Sequence, residues 1–382
     1  MDQSRKAPLA YLVHDINDSA VRRRVDLFIT EGLSVGVAGF HRHADTPGSG
    51  FDHPAIDLGL TQDAQLGQRA RTVLRHLLRP VALQGLCAHV TVIVARNLEM
   101  LMLALRVKQP GQRVVYECLD IHRLMLGSGL ASRAMRWLER RLLGHTNLVI
   151  VSSPAFAERY FARKQRRRHG VLLVENKVPH RVAAQGKCLA KGARREGPGG
   201  VLRIGWFGML RCRRSLEELG ELARRFPGRV EVLIAGIPSP AEFPDFYGQV
   251  AALPGLRYVG PFAPRDLRDL YGRVDFVWAV DYFEAGLNSD WLLPNRLYEG
   301  LAHGVVPIAL AHVETGRWLS RHQVGLLITD ALAELPGRLG SLTADALQSM
   351  RAAIAALPDA ALYQTEAERR TIASAVLGYA HA

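Results

Sequence analysis

Cysteine is scarce in this chain of 382 residues, and the four present, Cys87, Cys118, Cys188 and Cys212, lack the paired spacing of a zinc site or a redox motif. That excludes a disulfide framework, points to a reducing compartment and leads us to expect no metal. Long apolar runs are missing too. The most apolar region, 81–107, is interrupted by His89, Arg96, Asn97 and Glu99, so it falls short of the roughly 20 apolar residues that a membrane-spanning helix needs. The first residues, Met1 to Lys6, lead into a strand pattern and an acidic loop rather than an export signal, so a cytoplasmic location is expected and a periplasmic binding protein is not. After the first strand pattern the chain reads Val13-His14-Asp15-Ile16-Asn17-Asp18-Ser19. The Gly-x-Gly-x-x-Gly turn of a dehydrogenase is absent there, which excludes the simplest dinucleotide reading. Short repeats and low-complexity tracts are lacking as well.

What is present is a globular composition, 48% hydrophobic and 22% charged, on a chain long enough for two domains. Short apolar runs predict strands at 8–13, 34–40, 90–95, 113–119, 147–151 and 171–174, most of them separated by segments of helical period. The rhythm restarts at 201–207, 229–235, 256–259, 275–280, 305–310 and 324–328, with helices over 215–226 and 264–274. Strands alternating with helices imply parallel sheets covered on both faces. The expectation is therefore α/β: a doubly wound domain over 1–179, a Gly-, Ala- and Arg-rich linker over 180–200, a second doubly wound domain over 201–342, and terminal helices over 343–382.

The formal charge of +13 calls for an anionic partner, whether nucleic acid, acidic lipid or a phosphorylated substrate. Arginine clusters at 22–24, 69–79, 133–141 and 163–168 all fall in the first half. Each alone reads as a solvated helix face. In 71–79, apolar residues at 73, 74, 77 and 78 share one helical face while Arg71, Arg75 and Arg79 recur on another. Such a helix either packs on a core or lies on an anionic bilayer.

The most informative segment is 288–308, Asn288-Ser-Asp-Trp-Leu-Leu-Pro-Asn-Arg-Leu-Tyr-Glu-Gly-Leu-Ala-His-Gly-Val-Val-Pro-Ile. It reads as a loop, a helix from near Pro294 to Gly304, and a buried strand. A helix N-terminus offers free N–H groups and a positive dipole end to an anion, with Asn295 and Arg296 at that start and Glu299 about one turn on. The segment resembles the nucleotide-sugar-binding end of GT-B glycosyltransferases, notably family-4-like enzymes of bacterial surface polysaccharide synthesis, where Pro-x-Lys/Arg-Leu-x-Glu precedes Ala-x-Gly-x-x-Pro. The resemblance implies two Rossmann-like domains facing a cleft and a nucleoside diphosphate-sugar donor, UDP-linked by expectation, with no other cofactor.

Further donor contacts follow. The loop Gly208-Met-Leu-Arg211-Cys-Arg213-Arg214-Ser215 ends a strand and opens a helix, with Ser215 as the expected cap. Guanidiniums bond phosphate oxygens in pairs, so Arg211, Arg213 and Arg214 are candidate diphosphate ligands, Arg211 first. Phe262 is a candidate for stacking on the base or for plain core, and Asn288 and Ser289 are candidates for contacting sugar and diphosphate. By the resemblance Glu299 grips the ribose. The family's first glutamate, eight positions earlier, is replaced by Trp291, with Asp290 one residue out of register. That departure points to inversion, which needs a general base on the acceptor side. Asp120, after the strand 113–119 in a segment resembling the Asp-x-His region of related enzymes, is the first candidate; Asp15 is the second, with an N-cap as its alternative role.

The expected partners are a nucleotide-sugar, a polyprenyl-diphosphate-linked saccharide acceptor and an anionic membrane surface on the cytoplasmic face, without nucleic acid. A glucuronosyl donor is a specific possibility, since arginines would hold a uronate. The competing readings are a nucleotide-sugar epimerase of similar architecture and a non-catalytic nucleic-acid-binding protein, which would account for the charge but not for the donor-loop motifs.

Overall fold

The computed structural model describes residues 8–41, 55–61, 66–179 and 200–379, which form two compact units. The first comprises residues up to Glu175 together with those from Glu366 onward; the second runs from Asn176 to Thr365. The linker expected over 180–200 lies, but for Gly200, outside the described residues.

Unit 1 is built on a seven-stranded sheet: β1 (Pro8–Val13), β2 (Ser34–His41), β3 (Ala55–Leu60), β4 (Val92–Arg96), β5 (Arg113–Cys118), β6 (Leu148–Val151) and β7 (Val171–Leu173), in the order β3-β2-β1-β4-β5-β6-β7. Every pairing is parallel. Leu9 to Val13 and Val92 to Arg96 are buried without a break, as strands covered on both faces must be. Of the six strands expected here all are present, and β3 is an addition the periodicity did not mark.

Unit 2 follows the same plan with β9 (Leu202–Leu210), β10 (Val230–Pro238), β11 (Leu256–Tyr258), β12 (Phe276–Trp278), β13 (Val306–Leu310) and β14 (Leu326–Ile328), in the order β11-β10-β9-β12-β13-β14. Close backbone approach shapes the carboxyl end of its strands. A Cβ on Gly236 would sit 1.7 Å from the Gly208 carbonyl oxygen, its register partner on β9, and the φ of +138° at Gly236 is one that glycine alone adopts readily. β8 (Val178–Pro179) pairs with β15 (Tyr363–Gln364), and Asn176 Nδ2 donates to the Leu293 carbonyl at 3.0 Å. Unit 2 therefore begins at Asn176, slightly before the expected linker.

The tail expected as one block of terminal helices is divided. Ala344–Ala355 and Asp359–Leu362 belong to unit 2, whereas Glu366–Leu377 belongs to unit 1. There Ile372, Ala373 and Val376 join the core of Leu9, Tyr11, Val25 and Phe28. Arg369 pairs with Glu31 at 3.0 Å, and Arg113 Nε donates to the Val376 carbonyl at 3.3 Å. Apolar period alone does not say which core a helix joins. Among the described residues, no helix is long and apolar enough to cross a membrane.

Candidate active site

Both sheets reverse their strand order once, between β1 and β4 in unit 1 and between β9 and β12 in unit 2. Open α/β sheets take ligands outside the carboxyl ends of the strands at this switch. In unit 2 those ends carry Arg211, directly after β9, and Asp281, three residues after β12. Arg211 NH2 stands 3.8 Å from Asp281 Oδ2, and its guanidinium lies 4.6 Å above the Phe283 ring.

The helix expected from Pro294 runs over Asn295–Ala302, with Pro294 in the cap position and no side-chain cap. Proline suits this start, because its fixed φ matches the backbone there. Gly300 lets the helix press on β12: a Cβ there would meet Val277 Cγ1 at 2.6 Å. Asn295 opens the helix, half-buried. Next to it Arg296 reaches the surface with part of its side chain, while its Nε is shielded and has no hydrogen-bond partner. Burial pulls the Arg296 pKa below the usual guanidinium value; Asp281 opposes that and the neighbouring Arg211 reinforces it. Two cations and one carboxylate thus act on one another at the switch point. Glu299, one turn on and buried, accepts from Tyr271 Oη at 3.3 Å, and its backbone carbonyl meets His303 Nδ1 at 2.7 Å.

The other arginines of the β9 loop are occupied. Arg213 Nε donates to the Glu242 carbonyl, with the Glu242 carboxylate 3.7 Å away. Arg214 Nε donates to Glu218 at 2.8 Å, and its guanidinium lies 4.0 Å over Tyr282. The helix here spans Arg213–Arg225, two residues earlier than expected, and its cap is Cys212: the sulfur accepts from the Ser215 backbone N–H at 3.4 Å and from the Ser215 hydroxyl at 3.1 Å. Ser215, the expected cap, is fully buried inside the first turn. A run of arginines at a helix start hides which of them is outside the helix, and only Arg211 is.

Phe262 packs edge-on against Phe207 with ring centroids 6.4 Å apart and stays half-buried. Asn288 and Ser289 are buried in a short 3-10 turn, where Ser289 Oγ accepts from the Glu284 N–H at 3.0 Å. Asp290 accepts from the Gly286 N–H at 3.0 Å, which closes the same loop.

In unit 1, Asp15 follows β1, is buried and accepts from the Asn17 N–H at 3.0 Å, an Asx-type turn. The N-cap of the next helix, Ser19–Thr30, is Asp18. Asp120 follows β5 by two residues and is exposed. Sequence reasoning missed what lies between them. Glu117, fully buried, accepts from Arg24 Nε at 2.7 Å and from the Tyr11 hydroxyl, while Arg96 pairs with Asp18 at 3.2 Å and approaches Tyr11 Oη at 3.4 Å. Burial alone would raise the Glu117 pKa, but Arg24 and Arg96, with the Tyr11 hydrogen bond, outweigh it and hold the carboxyl below the usual range. Arg24 is therefore an internal ion-pair partner, not part of a solvated face. Asn97, directly after β4, is held at φ 73°, ψ 164°, a region nearly confined to glycine, with its N–H donating to the Glu117 carbonyl at 3.0 Å.

No protein-family model matches the chain. It is 45% identical over 344 residues to the succinoglycan biosynthesis protein ExoL of Rhizobium meliloti (strain 1021), a match covering 88% of this chain and 84% of that one. Among solved structures it is similar to sucrose-phosphate synthase from Thermosynechococcus elongatus (TM-score 0.69, 15% identity, 96% of this chain and 97% of that one). Anabaena HepE in complex with UDP-glucose gives a TM-score of 0.69 at 16% identity, covering 97% and 98%. WaaG, a glycosyltransferase involved in lipopolysaccharide biosynthesis, gives 0.60 at 15% identity, covering 97% and 100%. At such low identity these structures establish the shared fold, and the ExoL match supplies the family. The chain belongs to the family of the succinoglycan biosynthesis protein ExoL and has the GT-B fold.

Proposed function

We propose that the protein transfers a sugar from a uridine diphosphate donor to a lipid-linked saccharide. The observation that carries the donor half is the position of Arg211 beside Asp281 at the unit 2 switch point, together with a helix that starts at Asn295 and Arg296 without a side-chain cap. Guanidiniums and free helix N–H groups stabilise the charge that develops on a leaving diphosphate. Glu299 grips the ribose, Phe262 borders the base, and Asn288, Ser289 and Asn295 line the approach to the sugar. HepE, with which the chain shares its fold, has been solved with UDP-glucose, which favours uridine. With cations supplied by the protein itself, transfer proceeds without a metal and EDTA leaves the rate unchanged. A uronate such as glucuronate suits this site, because its carboxylate accepts a guanidinium fork as phosphate does.

The test is a thermal-shift panel of UDP, GDP, ADP and dTDP with their sugars, UDP-glucuronate and UDP-glucose included. A ligand at 100 times its Kd stabilises the native state by about 2.7 kcal/mol. A panel without any shift overturns the donor assignment.

On the acceptor side we assign Asp120 as general base, since it is exposed at a strand end, and place Asp15, already engaged in its turn, second. With Trp291 where a retaining enzyme has glutamate and Asp290 closing its own loop, transfer inverts the anomeric centre. NMR of the product's anomeric proton decides between inversion and retention.

A membrane-borne acceptor agrees with the surface of unit 1. On the helices Leu66–Leu78 and Val81–Cys87, Val73 is buried, but Leu74, Leu78 and Val81 are 53%, 71% and 75% exposed beside exposed Arg71, Arg75 and Arg79. The apolar face read from the sequence is thus split, one edge packed and the other turned to solvent. No acidic residue occurs from 66 to 98. This is the composition of a helix that rests on anionic lipid, and it supports a peripheral seat on the inner face of the membrane.

A further inference from the structure

Asp281 has no counterpart among the sequence-derived site residues, yet it is the carboxylate on which both candidate diphosphate ligands act. It is 10% exposed, and its Oδ1 accepts from the Phe283 N–H at 2.9 Å, so the turn after β12 fixes its direction. Its Oδ2 lies 3.8 Å from Arg211, within ion-pair reach but beyond a hydrogen bond. Arg211 thus keeps its N–H groups available. The same turn supplies Phe283, whose ring lies under the Arg211 guanidinium, so one short segment restrains that side chain from two directions. Arg296 stands close enough to feel both charges, and its Nε has no partner.

We propose that Asp281 is a positioning residue: its carboxylate, with the Phe283 ring, holds the Arg211 guanidinium at the switch point before a diphosphate arrives. Two like charges brought together in a partly shielded place repel. Without an intervening anion, Arg211, which is 37% exposed, escapes into water, and the donor must then draw back a long side chain with many rotamers. The inference rests on the donor reading above and deepens it.

Calorimetric titration of the whole protein with UDP and with uridine tests it. Asp281→Asn is the informative variant, because its amide oxygen still accepts the Phe283 N–H while the charge is gone. We expect UDP to bind about 10-fold more weakly and uridine unchanged, with a shallower dependence of UDP affinity on salt. Asp281→Glu recovers part of the loss. Unchanged or tighter UDP binding in Asp281→Asn overturns the proposal, since the carboxylate would then be a bystander or a competitor of the phosphates. A parallel loss for uridine overturns it as well, since the effect would not be on the diphosphate. If wild-type prefers GDP, ADP or dTDP, the comparison is run with that diphosphate and its own nucleoside. Wild-type protein that binds none of the four removes the donor reading itself, an outcome distinct from a wild-type that binds and a variant that does not differ.

Discussion

The two units carry the same sheet plan and give the arginines around it different partners. In unit 1, Arg24 and Arg96 are buried with Glu117, Asp18 and Tyr11 within hydrogen-bond or ion-pair distance, although Arg96 Nε itself has no hydrogen-bond partner. In unit 2, Arg211 faces Asp281 at 3.8 Å without a hydrogen bond, and Arg296 Nε is unsatisfied. Breaking a close buried ion pair is strongly destabilising, so Arg24 and Arg96 are held within unit 1, whereas Arg211, partly exposed and not hydrogen-bonded to its carboxylate, keeps its N–H groups open. The difference supports placing the proposed diphosphate site in unit 2 and the proposed acceptor chemistry in unit 1.

The sharpest test of that division is kinetic. Asp120→Asn should lower turnover by about a factor of 100 to 10,000 and leave UDP affinity untouched; full activity would pass the base role to Asp15 or another carboxylate. Next in size is Glu117→Ala, which strands the buried Arg24 guanidinium and should destabilise unit 1 by about 3–5 kcal/mol, read by urea denaturation. The sign of the pH effect follows from the depressed Glu117 pKa. The stabilisation is present above the unfolded-state carboxylate value of about 4.5 and is lost as pH falls through the lower folded value. Glu117→Gln should abolish that acid-side loss. Removing Arg296 or Glu299 individually as alanine should weaken UDP binding by about 1.5–3 kcal/mol, the worth of a charge-assisted hydrogen bond, with the urea midpoint little changed. Equal losses in a unit 1 variant such as Asp15→Asn would blur the comparison. The smallest effect per residue belongs to the surface: Arg71, Arg75 and Arg79 changed together to Ser should release the protein from anionic vesicles, each contributing about 1 kcal/mol. Wild-type protein that never sediments with such vesicles ends the membrane proposal.

The strands were legible because parallel strands buried on both faces are unbroken apolar runs, and ten of the twelve expected ones end within two residues of where they are observed. β3 was not, since Ala55–Leu60 contains Asp57 and Gly59 and is only half-buried. The Pro294 helix start and the position of Arg211 after β9 could be read from local signals, which are encoded in a few adjacent residues. The Arg24–Glu117 pair spans 93 positions and the Arg211–Asp281 pair joins two loops, so neither has a local signature. Arg213 and Arg214 illustrate the converse: residue type and spacing suited phosphate, but partners Glu242 and Glu218 had already been supplied by the fold.

The return of Glu366–Leu377 to unit 1 has a consequence in time. A chain emerging from the ribosome usually completes its N-terminal domain first. Here the core of unit 1 lacks Ile372, Ala373 and Val376 until synthesis has passed Thr365, while the continuous stretch from Asn176 to Thr365 can close earlier. The half that is written first is therefore finished last, and its apolar face waits uncovered for as long as the other half takes to be synthesised.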